Sequence, residues 1–310
     1  MIEPTALGAG ERAAVLLPAD PAEERENNAT WSPTRKRRRI PYVPIVILAT
    51  VVLAAILGGR ITGNDPLQGV LSDSLKKPVW KQGGGWDHPL GTDQLGRDVF
   101  ARLIEGARLT LLVALAGVVL SGLIGSTIGI VAGYRGGIVD SILMRIADVV
   151  LAVPVLVLGL ALAVIFGRGV ANVIFVLAVL TWATYARVVR SEVLKIREMD
   201  YVLFARISGV GTWTILRRHV LPNTMNIIIV LLTLQIGSTV IIAASLSFLG
   251  LGVPEPYPEW GLMLANAQNF LRLAWWLAVA PGLALASTVL AANLLGDWVR
   301  DRLDPHWNVS

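Results

Sequence analysis

The residue types that most often carry chemistry are sparse and scattered in this sequence. It contains no cysteine, and its three histidines, His88, His219 and His306, lie far apart along the chain. Zero cysteines exclude disulfides and thiolate-bound metals, and the separated histidines give no basis for a histidine-rich metal site. The G-x-x-x-x-G-K-[ST], H-E-x-x-H and G-x-S-x-G motifs are all absent. We therefore predict no catalytic, cofactor-binding or metal-binding residues in this chain.

The longest charged interval in the otherwise apolar second half of the chain is the stretch 191–223. Its charged side chains are Lys195, Arg197, Arg206, Arg217, Arg218, Glu192, Glu198 and Asp200. The interval lies between two apolar runs of membrane length, and its small residues and basic rim suit docking into a groove of a soluble partner. The alternative is a solvated connector whose arginines only fix the orientation of the protein in the membrane.

The composition indicates an all-α integral membrane protein. Hydrophobic residues make up 54% of the 310 residues and charged residues only 16%. The apolar residues form blocks of about 20, the length that a helix needs to cross the hydrocarbon core. A large soluble α/β enzyme is the alternative, but it would not concentrate its charges between apolar blocks.

The apolar blocks predict six transmembrane helices, at 41–59, 109–134, 138–166, 171–187, 224–249 and 273–295. The glycines and serines of the second block, spaced three and four residues apart, predict close helix packing. Pro154 predicts a bend in the third block. We also predict a short amphipathic surface helix at 101–108.

The distribution of basic residues predicts that both termini are cytoplasmic. With this orientation, 18 of the 27 Lys and Arg residues fall on the cytoplasmic side. The predicted regions are a disordered cytoplasmic tail (1–39), a first transmembrane helix (40–60), an extracytoplasmic segment (61–100), a five-helix core (101–297) with a cytoplasmic loop (191–223), and a cytoplasmic C-terminal tail (298–310). A cleavable signal peptide is the alternative for the N-terminus, but the charged region ahead of the apolar run is long for one.

Ionisable residues within the apolar blocks are few. Arg145 and Asp148 are three residues apart and can pair on one helix face, either as a structural pair at the membrane edge or with a role in transport. No carboxylate pair suggests a proton relay at mid-membrane. This pattern indicates a passive pathway whose energy comes from another protein.

Within 191–223 the sequence predicts two short helices. Good helix formers fill 192–208, glycines interrupt at 209–211, and a second helix runs over 213–220 before Leu221-Pro222 ends it. We expect Thr212 to cap the second helix. On a helical wheel Val202, Ala205, Arg206 and Gly209 share one side. Ala205 and Gly209 leave a shallow place on that side, where a neighbouring surface can approach closely.

This interval resembles the E-A-A, three residues, Gly, nine residues, I-x-L-P motif of ABC importer permeases. The motif aligns with Leu203-Phe204-Ala205, then Gly209, then His219-Val220-Leu221-Pro222. The spacing is intact, but Leu203, Phe204 and His219 depart from it. Three further segments resemble the second permease subunit of the dipeptide, oligopeptide and nickel subfamily: HPLGTDQLGRDVFARLIEGAR (88–108), SFLGLGVPEPYPEWGLML (247–264) and NLLGDWVRDRLDP (293–305). The resemblance covers residues 40 to 305.

The resemblance implies a type I ABC importer permease fold in the cell membrane. Its implied partners are a homologous permease forming a heterodimer, two ATP-binding subunits that use the ATP, an extracytoplasmic substrate-binding protein and membrane lipid, with no nucleic acid. The implied ATPase-coupling residues are Leu203, Phe204, Ala205, Arg206, Gly209, Leu221 and Pro222. Phe204 either fills a pocket on the ATPase or points back toward the membrane core. Some members carry an acid before the S-L-S-F-L-G-L-G run, whereas this chain has Ala243-Ala244, so we expect no charged gate there.

The cargo implied by the resemblance is a di- or oligopeptide. The alternatives are nickel or a nickel chelate, and other small solutes such as glutathione or opines. A channel or gradient-driven transporter that needs no motor is the alternative from another class. An intramembrane enzyme has no residues to support it.

Overall fold

The computed structural model describes residues 40–303, and within this range the secondary structure is helical apart from one isolated β-bridge between Thr92 and Asp98. The α-helices are α1 (Tyr42–Ile61), α2 (Val99–Arg135), α3 (Gly137–Ala152), α4 (Val155–Phe166), α5 (Val170–Arg197), α6 (Asp200–Ile207), α7 (Thr212–Ile215), α8 (Leu221–Phe248), α9 (Trp260–Ala267) and α10 (Trp276–Leu303). A π-helical turn, Leu216–Val220, joins α7 to α8, and 3-10 turns cover Leu71–Asp73 and Gln268–Phe270. The predicted N-terminal tail (1–39) and residues 304–310 of the predicted C-terminal tail (298–310) lie outside the described residues, whereas residues 298–303 form the end of α10.

Four helical segments are long and apolar enough to cross a membrane: Val99–Arg135, Val170–Arg197, Thr212–Phe248 and Trp276–Leu303. The pair α3 and α4 supplies a fifth span if it is counted as one broken helix. The apolar part of α1, Tyr42–Gly58, is shorter than these. An all-helical membrane protein is thus confirmed, with four to five spans.

The segment 101–108, predicted as a separate surface helix, is instead the beginning of α2. This prediction was wrong because the helix starts at Val99 and runs unbroken for 37 residues. Asp98 fixes that start, since its carboxylate accepts a hydrogen bond from the Ala101 N–H at 2.7 Å. The charged residues that suggested a surface helix lie on the polar first turns of a spanning helix.

The bend predicted at Pro154 is confirmed and amounts to a full break. Helix α3 ends at Ala152, Val153 is extended, and α4 begins after Pro154 at an angle of 98° to α3. Proline has no N–H to donate, and it disfavours a helical conformation of the residue before it. The missing N–H of Pro154 and the restriction on Val153 together break the helix at this point.

The core of the fold is the contact between α2 and α5. A Cβ on Gly125 would lie 2.3 Å from the Trp182 carbonyl oxygen, and a Cβ on Gly129 would lie 2.6 Å from that of Ala186. Backbone atoms of the two helices therefore touch at these positions, as the spacing of small residues predicts. Such contacts are a major source of helix association in lipid, where burial of apolar surface between helices gains little.

This contact gives a stability prediction. Gly125→Leu places a side chain against the α5 backbone, which cannot move aside as a flexible side chain can. Overpacking costs about 1–3 kcal/mol in ordinary cores, and we expect at least that here. The thermal unfolding midpoint of the detergent-solubilised subunit should fall clearly. Thr127→Leu is the control, because Thr127 is exposed on the same helix; equal midpoints for the two variants would contradict the packing assigned to Gly125.

Candidate docking surface

The two short helices α6 and α7 form a helix–turn–helix after the end of α5. Gly209 has φ +76°, and the Gly209 N–H donates to the Arg206 carbonyl at 3.1 Å while the Val210 N–H donates to the Ala205 carbonyl at 3.1 Å. These bonds form a Schellman motif, which needs the left-handed residue that glycine supplies. The interruption predicted at 209–211 is therefore confirmed.

The pair is held to the spans by an apolar cluster on its inner side. Val202 is fully buried. The other buried members of the cluster are Val189, Val193, Ile196, Ile215, Val220 and Ile228, and Ala205 packs against them. The inner side of α6 is thus part of the protein's own core.

One polar contact joins α6 to the end of α2, and a second joins the last residue of α5 to it. The Arg206 guanidinium lies 5.7 Å from the centroid of the Tyr134 ring. The Arg197 side chain donates to the Gly133 carbonyl at 3.2 Å, satisfying one of the last carbonyls of that helix. Any displacement of α6 therefore acts directly on α2.

The outer side of the pair is apolar and uncovered. Phe204 is 68% exposed, Ile207 81% and Trp213 74%, and Leu203 lies beside them at 39%. Arg206, Arg217 and Arg218 are exposed around this face. We call Leu203, Phe204, Ile207 and Trp213 the outer face. An exposed apolar patch with a polar rim is typical of a protein–protein contact.

The structure separates the sequence-predicted coupling residues into two groups. Leu203, Phe204, Arg206 and Gly209 are exposed on α6 and its C-terminus, whereas Ala205 turns toward the apolar cluster. The helical wheel placed Val202 and Ala205 on the docking side with Arg206 and Gly209, and this was wrong, because Val202 and Ala205 pack into the apolar cluster. Phe204 faces away from the protein core.

Leu221 and Pro222 occupy the first turn of α8 and are exposed. The prediction that a separate helix ends there was wrong, because the π-turn carries the helical backbone from α7 straight into α8. Thr212 is the first residue of α7 and makes no side-chain cap there. Sequence reasoning missed Ile207 and Trp213, although the three-residue spacing from Phe204 to Ile207 marks a shared helix face.

Two ion pairs link α3 to α5 beside this end of the molecule. Asp140 pairs with Arg190 at 2.5 Å, and Asp148 pairs with Arg187. The predicted pairing of Asp148 with Arg145 was wrong, because the neighbouring helix offers a cation at Arg187. These pairs join adjacent helices.

At the opposite end of α2, the 88–98 segment forms a charge network in which Asp93 and Arg97 are buried and Glu255 is exposed. Asp93 accepts from the Arg97 Nε at 2.6 Å, and Arg97 also donates to Glu255 at 2.7 Å. Glu255 in turn accepts from Asn266 at 2.5 Å. This network ties the segment before α2 to the proline-rich loop after α8, which gives the H-P-L-G-T-D-x-x-G-R-D pattern a structural role.

Glu259 closes the same proline-rich loop. Its carboxylate accepts hydrogen bonds from the Gly261 and Leu262 N–H groups at 2.9 and 2.8 Å and so caps α9. Burial raises the pKa of Glu259, and the backbone hydrogen bonds oppose that shift. Gly261 lies against the Ala244 backbone, where an added Cβ would come within 2.5 Å of the carbonyl oxygen. The absence of a side chain at Gly261 thus permits a close contact between α8 and α9.

Beside Ala244 a cavity of about 530 Å³ opens between α4, α8, α9 and α10. Its wall includes Ile241, Ser245, Phe248 and Gly282, and none of its lining side chains is ionisable. It is large enough for a small organic molecule.

The network around Arg97 predicts a pH dependence of stability. Burial raises the pKa of Glu255, but the hydrogen bond and charge of Arg97 outweigh it, so the pKa lies below its ordinary value of 4.5. The stabilisation is therefore complete above that value and is lost as the pH falls through the lower folded-state pKa. Glu255→Gln should lower the thermal midpoint at pH 7, and the gap to the wild type should close under acid conditions.

The matched control is Asp87→Asn, a change at an exposed carboxylate of the same segment. We expect its thermal midpoint to follow that of the wild type at each pH. A constant gap between Glu255→Gln and the wild type across the titration would contradict the assignment to the Glu255 carboxylate.

Comparison with known proteins gives a consistent result. Residues 125–309 match the family model described as "Binding-protein-dependent transport system inner membrane component". The chain is 40% identical over 261 residues to the di/tripeptide transport system permease protein DppC of Pseudomonas aeruginosa, covering 84% of this chain and 86% of that protein. It is 45% identical over 218 residues to the glutathione transport system permease protein GsiD of Pectobacterium atrosepticum, covering 70% and 72%. It is 36% identical over 270 residues to the dipeptide transport system permease protein DppC of Haemophilus influenzae, covering 87% and 92%.

Proposed function

The chain belongs to the family of binding-protein-dependent transport system inner membrane components, and on this premise we propose that it is one of two permease subunits of an ATP-driven importer of di- and oligopeptides. It is a multi-pass protein of the cell membrane. The observation that carries the proposal is the uncovered apolar outer face of a chain that has no nucleotide-binding motif of its own.

The proposed topology has six spans, with α1 as the first and the pair α3–α4 as the third. Both termini and the loop 191–223 are then cytoplasmic, and residues 61–100 are extracytoplasmic. The distribution of basic residues supports this orientation. The lengths of the helices support it too, since α2 separates the docking end from the Arg97 network by about 55 Å. The proposed regions are a cytoplasmic tail (1–39), a first transmembrane helix (40–60), an extracytoplasmic segment (61–100), a five-helix core (101–297) and a cytoplasmic C-terminal tail (298–310).

The outer face is proposed to enter a groove on an ATP-binding subunit. Phe204, Ile207 and Trp213 are large side chains of the kind that dominate the energy of such contacts. When ATP closes the ATPase pair, the groove moves α6, and the contacts of Arg206 with Tyr134 and of Arg197 with Gly133 carry the displacement to α2. ATP drives transport only if it binds one state of the complex better than the other.

The proposed partners are a homologous permease, two ATP-binding subunits and an extracytoplasmic substrate-binding protein that delivers the cargo. In this assembly the ATP is held by the partners, and we propose no cofactor for this chain. The coupling residues of this chain are Leu203, Phe204, Arg206 and Gly209, extended by Ile207 and Trp213. Ala205, Leu221 and Pro222 support them from the inner side and from the start of α8.

Peptides are the proposed cargo because the relatives are named for di- and tripeptides, dipeptides and glutathione. These names give no support to nickel. The cavity beside Ala244 has no ionisable lining residue, which suits a pathway that passes peptides of varied side chains without binding any of them tightly.

The function is tested by uptake of a labelled dipeptide into proteoliposomes that contain the complete transporter. Uptake should require ATP on the ATPase side together with the binding protein, and this subunit reconstituted alone should transport nothing, because it forms half of the pathway. Uptake driven by an ion gradient without ATP would instead support the gradient-driven transporter.

The docking role is tested by Phe204→Ser combined with Ile207→Ser. Loss of two anchors at about 2 kcal/mol or more each weakens a contact by at least several hundredfold. The ATPase subunits should no longer co-purify with the permease, and uptake should be lost. Leu273→Ser is the matched control, since Leu273 is 73% exposed at the other end of the molecule. Retention of the ATPases by the double variant would contradict docking through the outer face.

A further inference from the structure

The segment 76–87, which we call the tryptophan loop, is held against the first turn of a spanning helix. The Lys81 ammonium lies 4.5 Å from the centroid of the Trp276 ring and 5.4 Å from that of Trp275. Trp276 is buried in the protein, whereas Trp275 is exposed beside it at the start of α10. Exposed tryptophans at the end of a spanning helix are enriched at the level of the lipid headgroups. The tryptophan loop is therefore positioned at the edge of the membrane.

The ends of the tryptophan loop are packed into the protein. Leu75 and Leu90 contact the apolar cluster that contains Trp276 and Leu277. The Thr92 N–H donates to the Lys76 carbonyl at 3.2 Å. The base of the loop is thus part of the folded body, so its position relative to α10 is defined.

The tip of the loop is a compact turn that presents two indole rings outward. The Lys81 N–H donates to the Pro78 carbonyl at 3.0 Å, and the Gly84 N–H donates to the Lys81 carbonyl at 2.9 Å. A Cβ on Gly84 would lie 2.0 Å from the Pro78 carbonyl oxygen, so only glycine fits there. Trp80 is 54% exposed and Trp86 is 81% exposed. Holding such rings in water has no structural benefit for the chain itself.

The charge of the tryptophan loop indicates what the rings meet. The loop contains three lysines and one aspartate. Lys76 pairs with Asp73 at 2.8 Å, and Lys77 is exposed. Indole rings flanked by lysines, next to an aromatic belt, match the chemistry of an anionic lipid interface, where the rings enter the headgroup layer and the ammonium groups meet phosphate.

We propose that the tryptophan loop is an interfacial anchor that inserts Trp80 and Trp86 into the headgroup layer of anionic phospholipids on the side of the membrane opposite the docking helices. The anchor fixes the distance of the 88–98 segment from the headgroup layer. It thereby also fixes the position of the network of Arg97 and Glu255 relative to the membrane. The inference requires only that the chain spans the membrane, so its failure leaves the importer assignment unaffected.

The test uses the absence of cysteine from this chain. Trp86→Cys is labelled with an environment-sensitive fluorophore in the assembled transporter, which is placed in nanodiscs of phosphatidylcholine and phosphatidylglycerol. We expect a blue-shifted emission and loss of intensity with lipids that carry a nitroxide on the headgroup. Both effects should weaken when phosphatidylglycerol is omitted.

Ser72→Cys is the matched control, because Ser72 is exposed on the same side of the molecule but precedes the tryptophan loop. Its label should show water-like emission and little quenching. ATPase activity stimulated by the binding protein verifies that each labelled complex is folded. A label at 86 that nitroxide lipids leave unquenched overturns the proposal, and so does one whose emission shifts only when the binding protein is added.

Discussion

The close contact between α2 and α5 is the constraint on which the rest of the structure depends. In lipid, helices gain little from burying apolar side chains against each other, so association relies on surfaces that approach closely. Gly125 and Gly129, in the last third of α2, bring its backbone into contact with the middle of α5. The ion pairs of α3 with Arg187 and Arg190 then add a third helix to the same side.

This packed pair also sets the positions of the two polar ends of the molecule. At one end, α5 leads into α6 and α7, and the last turn of α2 contacts Arg206 of α6 through Tyr134 and Arg197 of α5 through Gly133. At the other end, Asp98 caps α2, and Arg97 holds the proline-rich loop after α8. Because packing against α5 fixes α2, the polar contacts at both ends of α2 have defined positions.

The sequence was informative where one physical effect dominates. Apolar length located the long spans, the missing N–H of Pro154 located the break in the third block, and Gly209 located the end of α6. It failed where two effects compete. The charges at 101–108 indicated a surface helix, but the cap at Asp98 and the packing of α2 extend the helix through them. Ala205 was placed outward because a helical wheel shows which residues share a side and does not show which side faces the core.

The network of Asp93, Arg97 and Glu255 was beyond single-sequence reasoning for a related reason. Arg97 and Glu255 are separated by 158 residues, and no local pattern pairs them. The outer face was only partly predicted. The motif indicated Phe204, but the exposure of Ile207 and Trp213 depends on which side of the two short helices packs against the core, and the burial of Val202 decides this.

Helix α2 runs for 37 residues without a proline or a break. A helix of this kind transmits force as a stiff rod, since bending it would disturb hydrogen bonds that have no replacement in lipid. A tilt of about 5° at one end of a rod about 55 Å long moves the other end by about 5 Å. Mechanically, the molecule therefore has a built-in lever, and a small movement at Tyr134 reaches the opposite membrane surface without a chain of separate conformational steps.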